Sequence, residues 1–308
     1  MLGGLAATLS LSALARRAEA SSRRTVAITF DDLPFAGDAS LEEVSVRNRK
    51  VLDTLRRFNA PATGFVIEKT VEHYGRDAAR GILNAWTEGG FSLGNHTYSH
   101  ADTNNLDLAG IEREVADGEA SIRPLMDAAG KPLRFVRFAM NHTGDPLDKS
   151  LAIEAMLRRR GYVPAASTID TSDYAFEAAY AKALQAGDGN AAGRIADAYV
   201  AYSETEIDYY IALSQKVLGY EPPQIALLHL NRINADTLGR VLDLYVRRGF
   251  GFVTLEAAQA DPAYAIPTTY ATRFGPMWPY RWAKEKGVHI DGSLEQEPPS
   301  WIRDYARK

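Results

Sequence analysis

The first apolar block after a small-residue leader is Thr25-Val26-Ala27-Ile28-Thr29-Phe30, and it runs directly into two adjacent carboxylates, Asp31 and Asp32. A β-branched, apolar run of this length is the pattern of a strand buried on both faces. Residues 41–58 switch to helical periodicity, with Val44, Val51, Leu52 and Leu55 on one face and Arg and Lys opposite, and Pro61 breaks the pattern. The alternation then repeats. Residues 62–67 predict a strand, 77–88 a helix stopped at Gly89-Gly90, 91–95 a short strand, and 107–126 a helix closed by Gly130 and Pro132. Residues 134–138 predict a fourth strand, 146–160 a helix opening on proline, and 162–168 a fifth strand. An Ala- and Tyr-rich stretch from 174 to 220 predicts one or two helices broken near residues 187–190, as padding or as a cover for a site. Strands at 225–230 and 250–255 flank a last helix at 235–248. Strands alternating with helices of this length imply parallel strands with helical crossovers. The expected fold is α/β: a distorted (β/α) barrel of about seven parallel strands, a single domain over residues 21–262.

Past Pro262 the period is lost, and three of the four tryptophans (Trp278, Trp282, Trp301) fall here. Residues 263–308 are expected to form a C-terminal tail packed on the barrel, with aromatics that anchor it or line a sugar groove. No internal repeat or linker marks a second domain.

At 308 residues with 46% apolar content, the chain has enough material for a large core. A net charge of −4 without a basic stripe argues against a nucleic-acid partner. Residues 2–15 are small and apolar, and after Arg16-Arg17 the triplet Ala18-Glu19-Ala20 fits the small-x-small rule for leader cleavage. Residues 1–20 are therefore expected to be a signal peptide and the mature protein to be exported, periplasmic or secreted. The alternative is an N-terminal extension of a cytosolic protein. The apolar run is too short to predict stable membrane insertion. Nothing in the pattern sets an oligomeric state. With no cysteine in the chain, any metal site must be built from His, Asp and Glu.

Neighbouring residues on a strand face opposite ways, so Asp31 and Asp32 either divide the work or sit where the strand has already become a loop. One carboxylate could hold a metal while the other stays free as a base. Alone, the pair would equally suit a turn in which Asp32 caps the segment that follows. Asn95-His96-Thr97-Tyr98-Ser99-His100 follows the third strand, and two histidines four apart on a helical turn can share one ion. With an aspartate at a neighbouring strand end they form a two-histidine, one-carboxylate set with room for water, whose pKa a divalent ion lowers from roughly 15.7 toward about 7. His229 closes the sixth strand, on the face where barrel enzymes keep their chemistry.

In order and strand-end placement these motifs resemble the polysaccharide deacetylases with NodB homology, carbohydrate esterase family 4. The resemblance spans residues 29–229. Thr29-Phe30-Asp31-Asp32 is similar to the family's first motif, which implies Asp31 as base and Asp32 as metal ligand. His96 to His100 resembles the second, implying both imidazoles as ligands, and Leu227-Leu228-His229 the last, implying His229 as acid. The middle motifs depart. Arg137 matches, implying a partner for Asp31, but the family's proline and tyrosine are here Ala139 and Met140. The backbone N–H of Met140 would then serve the oxyanion, since a main-chain donor survives a side-chain change. The family's Asp-Trp pair appears as Asp173-Tyr174, with Asp173 orienting His229 and Asp170 as second choice. His142 carries no family role and is expected to be a loop residue held by local hydrogen bonds.

The resemblance implies a metal-dependent amide hydrolase of the linear C–N type, removing N-acetyl groups from a carbohydrate substrate. The divalent ion would be zinc, although cobalt, nickel or iron suit the same ligands. Two alternatives stay open: an allantoinase-like hydrolase of small cyclic amides, and a carbohydrate-binding protein without turnover. The first is favoured by the departures at Ala139, Met140 and Tyr174 and opposed by an export signal. The second is opposed by retention of Asp31 and His229.

Overall fold

The computed structural model describes residues 24–307. The signal-peptide reading of residues 1–20 lies outside the described residues.

The chain forms a twisted sheet of short parallel strands, curled on itself and covered outside by helices. In sequence order the strands are β1 (Thr25–Leu33), β2 (Ala62–Val66), β3 (Ser92–Asn95), β4 (Phe135–Val136), β5 (Val163–Pro164), β6 (Ile169–Asp170), β7 (Gln224–His229) and β8 (Gly251–Phe252). Their spatial order is β5-β4-β3-β2-β1-β7-β6, with β8 beside the start of β1. Every pairing is parallel, as the strand–helix alternation predicted.

β1 is central and almost wholly buried because its residues serve two cores. Val26, Ile28 and Phe30 face the outer helices, while Ala27 joins Phe65, Phe135, Ala165, Ala166 and Ile225 inside the curl. The inner cluster is small, so strand alternation brings Thr29 and Asp31 into the interior just above it. The covering helices are α1 (Leu41–Arg57), α2 (Glu68–Tyr74), α3 (Arg76–Glu88), α4 (Leu108–Asp117), α5 (Ile122–Ala128) and α6 (Leu147–Arg159). Then come α7 (Asp173–Gln185), α8 (Gly189–Leu218), α9 (Arg232–Arg247) and the short α10 (Leu255–Gln259). Ser40 caps α1 by accepting the Glu43 N–H, and its buried face is Val44, Val51, Leu52 and Leu55.

Three elements differ from the sequence pattern. The single helix expected over 107–126 is two, α4 and α5. A Cβ on Gly118 would lie 2.5 Å from Asn95 Oδ1, so the chain there must skirt the end of β3, and Pro124 cannot supply the N–H that would continue the helix backwards. The strand expected at 162–168 is a bent segment that pairs first with β4 and then, as β6, with β7. At the bend, the Ala166 N–H goes to Gln259 and its carbonyl to Arg137. β5 and β6 are thus halves of one distorted strand, which brings the strand count to seven and joins the two sides of the curl. Helix α2 has no counterpart in the pattern. Its first residue, Glu68, is fully buried and accepts hydrogen bonds from Ser121 N and Oγ at 3.0 and 2.8 Å, so a carboxylate stands where the period wants an apolar residue.

Beyond residue 262 the chain folds into α11 (Trp278–Lys286) and α12 (Ser300–Arg307). Trp282 is buried against Tyr264, with ring centroids 5.3 Å apart, and Trp278 and Trp301 pack on the main core. Among the described residues no helix is long and apolar enough to cross a membrane.

Candidate metal and acid–base site

The ends of β1, β3, β4 and β7 meet at one rim of the curl, and the candidate residues are gathered there. Register sets the central relation: on β1 and β7, Asp31 is the direct partner of His229.

Asp31 is buried, and its Oδ1 accepts from Arg137 Nη1 at 2.7 Å. The same nitrogen donates to Thr29 Oγ1 at 2.9 Å, and Nη2 donates to the Ala166 carbonyl at 2.9 Å. The Phe65 ring lies 4.4 Å from the guanidinium. One carboxylate oxygen of Asp31 is therefore fixed, while Oδ2 stands 3.7 Å from His96 Nε2.

Asp32 has left-handed backbone (φ 66°), and the β1–β2 register slips between Phe30 and Leu33. That bulge lets adjacent carboxylates face one cleft instead of opposite faces of a strand. Oδ1 of Asp32 is buried without a hydrogen-bond partner, 3.3 Å from His96 Nε2 and 3.5 Å from His100 Nε2. His96 Nδ1 lies 2.7 Å from the Arg137 carbonyl, to which it can only donate, so a neutral ring presents its Nε2 lone pair to the carboxylate. Three ligand atoms, the orphaned Asp32 oxygen and the two imidazole nitrogens, thus lie within 4.8 Å of one another. A divalent cation fits this donor set. Burial works against charge on Asp32, but when the imidazoles carry protons in place of an ion, a His96 hydrogen bond and the positive field of His229, His96 and His100 hold its carboxyl well below the usual range. Burial also opposes a proton on His96, but Asp31 and then Asp32 raise it. His100 is lowered by burial and by His96.

The two imidazoles meet by a different route from the expected helical turn. Residues 96–100 form a loop with left-handed Thr97 and His100, pinned by Asn95 Oδ1 accepting the Thr97 N–H, and the ring centroids are 4.9 Å apart.

His229 Nδ1 is 2.8 Å from Asp173 Oδ1, and the His229 N–H donates to Asp173 Oδ2 at 2.7 Å. Burial opposes charge on the imidazole, yet Asp173 outweighs it and raises His229 to about 10. Because the folded value is raised, the pair contributes stability fully below about 6.5, the ordinary imidazole value, and loses it as pH climbs through about 10. Asp173→Asn is expected to lower the melting midpoint at neutral pH by more than at pH 10.5. In the metal-loaded protein it should lower kcat/KM for turnover at this cleft about 10- to 100-fold and move the alkaline limb to lower pH. Unchanged midpoints and pH profile would contradict this.

Asp170 does not reach the imidazole. It accepts the Ser172 N–H at 2.8 Å and faces the cleft, pushed up to about 6 chiefly by burial. Tyr174 stands at the rim, edge-on to His229 with ring centroids 6.1 Å apart. Met140 also lines the cleft, on a turn (Ala139–Asn141) where its φ is 56° and its N–H has no partner among the described residues. His142 is held away from the cleft by Asp102 Oδ1 at 2.8 Å and Asn104. The cleft measures about 790 Å³, and Tyr174, Ala178 and Ala181 of α7 form one wall, so this helix is more than padding.

Two supporting residues, Asn231 and Asn234, do not stand out from strand and helix periodicity. Asn231 and Asn234 both donate side-chain N–H groups to Asp173, and Asn231 also caps α9 by accepting the Asn234 N–H. An N-x-x-N pair just after a strand-end histidine could have marked them.

Residues 18–154 match the profile of the family described as polysaccharide deacetylase. This match covers less than half of the 308-residue chain. Among curated relatives of this chain is a chitin deacetylase of Arthroderma benhamiae, 30% identical over 152 residues, 49% of this chain and 35% of that protein. Another, from Pestalotiopsis sp., is 29% identical over 153 residues, 49% of this chain and 43% of that protein. The chain thus spans less than half the length of these relatives. In fold it is similar to a family 4 acetyl xylan esterase from Clostridium thermocellum solved with a cobalt ion, with TM-score 0.51, 20% identity, and 77% and 91% of the two chains covered. It is also similar to a CE4 family pseudoenzyme from Bacillus anthracis, with TM-score 0.53, 13% identity, and 77% and 66% covered.

Proposed function

We propose that the chain is a divalent-metal-dependent hydrolase that removes N-acetyl groups from an amino-sugar polymer or oligosaccharide, yielding acetate and a free amine. The observation that carries this reading is the pairing of Asp31 with His229 across β1 and β7, beside the convergent Asp32, His96 and His100. A divalent ion there, zinc in our reading, would supply Lewis acidity and bring the pKa of a water toward about 7.

Asp31, fixed by Arg137 at one oxygen, takes the proton of the attacking water on its other oxygen. The unpartnered Met140 N–H donates to the carbonyl oxygen as it gains charge. His229, kept protonated by Asp173, gives its Nε2 proton to the nitrogen as the C–N bond breaks. Tyr174 and the α7 wall offer apolar surface to the sugar face and the acetyl methyl. The chitin deacetylases among the relatives support an N-acetylglucosamine polymer as substrate. With residues 1–20 as leader, the enzyme would act outside the cytoplasm.

Acetate release from N-acetylglucosamine oligomers, assayed beside hydrolysis of a cyclic ureide, tests the reading. Acetate release is the expected result. Ureide opening without acetate would move the assignment to small-amide hydrolysis. Saccharide binding with neither reaction would make the chain a binding protein.

A further inference from the structure

The turn that offers the Met140 N–H is held in part from outside the family-matched segment. Met140 and Asn141 have successive left-handed φ of 56° and 55°. Asparagine tolerates that conformation, but methionine does so at a cost, and such strain persists only where the surroundings over-determine it. The turn itself supplies only two hydrogen bonds, Asn141 N to the Phe138 carbonyl and His142 N to the Ala139 carbonyl, both 3.1 Å.

His142 is held in addition by Thr103 Oγ1, which donates to its carbonyl at 3.0 Å, and by Asp102 and Asn104 at its ring, and a further restraint comes from the C-terminal region. Arg281 on α11 is 1% exposed, and its Nη2 donates to the Asn141 carbonyl at 2.9 Å while Nη1 donates to Thr143 Oγ1 at 2.9 Å. Its Nε holds the Pro276 carbonyl at 3.0 Å, and its guanidinium lies 4.7 Å from the Trp278 ring. Burial brings this guanidinium down to about 10, so it stays charged at neutral pH. Gly275 presses on the same turn: a Cβ there would sit 1.7 Å from the Met140 carbonyl oxygen. The backbone before α11 is itself anchored, with the Trp278 N–H donating to the Ser167 carbonyl at 2.8 Å.

We propose that Arg281 and Gly275 are positioning residues for the oxyanion donor, a clamp by which the C-terminal region fixes the strained 139–141 turn with the Met140 N–H at the cleft. The proposal rests on the deacetylase reading for the identity of the oxyanion, whereas the clamp is geometry. Residues 18–154 contain the turn and the anchors of His142, but not Arg281 and Gly275, which close on the turn from the other side.

The test uses the full, metal-loaded chain carrying Gly275→Ala, Arg281→Met or Arg281→Lys, with N-acetylglucosamine oligomers as substrate. Gly275→Ala should lower kcat about 10- to 100-fold, short of the roughly 10²–10³ for outright loss of an oxyanion donor. KM should stay within about twofold and metal stoichiometry at one per chain, because the ligands lie on other loops. Arg281→Met should fall similarly and Arg281→Lys recover part of kcat, since lysine keeps a charge and one donor. Unchanged kcat in folded Gly275→Ala would overturn the proposal, as would a loss confined to KM or metal content. If Arg281→Met does not fold, Gly275→Ala decides. If the wild type releases no acetate, the deacetylase reading fails separately. The clamp is then judged by hydrogen exchange at the Asn141 and His142 amides, which are bonded within the turn; it should quicken in Gly275→Ala and would refute the clamp if unchanged.

Discussion

Replacing His96 with alanine is expected to leave a folded chain that neither keeps a stoichiometric divalent ion nor releases acetate. The effect should be near-complete because His96 does two jobs. Its Nδ1 locks onto the Arg137 carbonyl, which aims Nε2 at the orphaned Asp32 oxygen, and its ring packs beside His100. Without it, His100 lies in a loop with no second imidazole to share an ion. At neutral pH a water with a pKa of roughly 15.7 is then a poor nucleophile. Metal analysis and acetate release on the same sample check this. Full metal content with wild-type rate in His96→Ala would strike His96 from the ligand set, and wild-type rate without metal would remove the ion from the mechanism.

Asp31→Asn should separate the metal from the base. The side chain keeps its shape and one oxygen for Arg137, and Asp31 is outside the three-ligand set, so about one ion per chain should remain. Loss of a general base typically costs about 10²–10⁴ in rate, and kcat is expected to fall within that range with little change in KM. Activity within a factor of a few of wild type would place the base elsewhere, with Asp170 the next carboxylate facing the cleft.

Strand ends were the most legible feature of this chain. A β-branched run terminating in Asp31-Asp32, a histidine pair just past Ser92–Asn95 and His229 closing its own apolar run all stand out, because buried parallel strands admit charge only where they leave the sheet. Register was not legible: that Asp31 pairs with His229 depends on how β1 and β7 align, which hydrophobic pattern does not set when both faces are buried. The remaining misses share a cause, polar groups doing structural work inside. Glu68 hides α2 and Arg281 hides α11, each a buried charge where periodicity expects an apolar residue. The bend at Ala165 and Ala166 is invisible for the complementary reason, since the backbone groups freed there are taken by Arg137 and Gln259 from elsewhere in the chain. The left-handed Thr97 and His100 turned an expected helical turn into a loop while preserving the meeting of the two imidazoles.

The measurement that tests the central claim most directly is acetate release from N-acetylglucosamine oligomers as metal-free protein is titrated with zinc. The account predicts a rate that rises in proportion to added ion and levels at one equivalent per chain, matching the single three-ligand site among the described residues. Acetate release at full rate without metal, or no release with one ion bound, would contradict it.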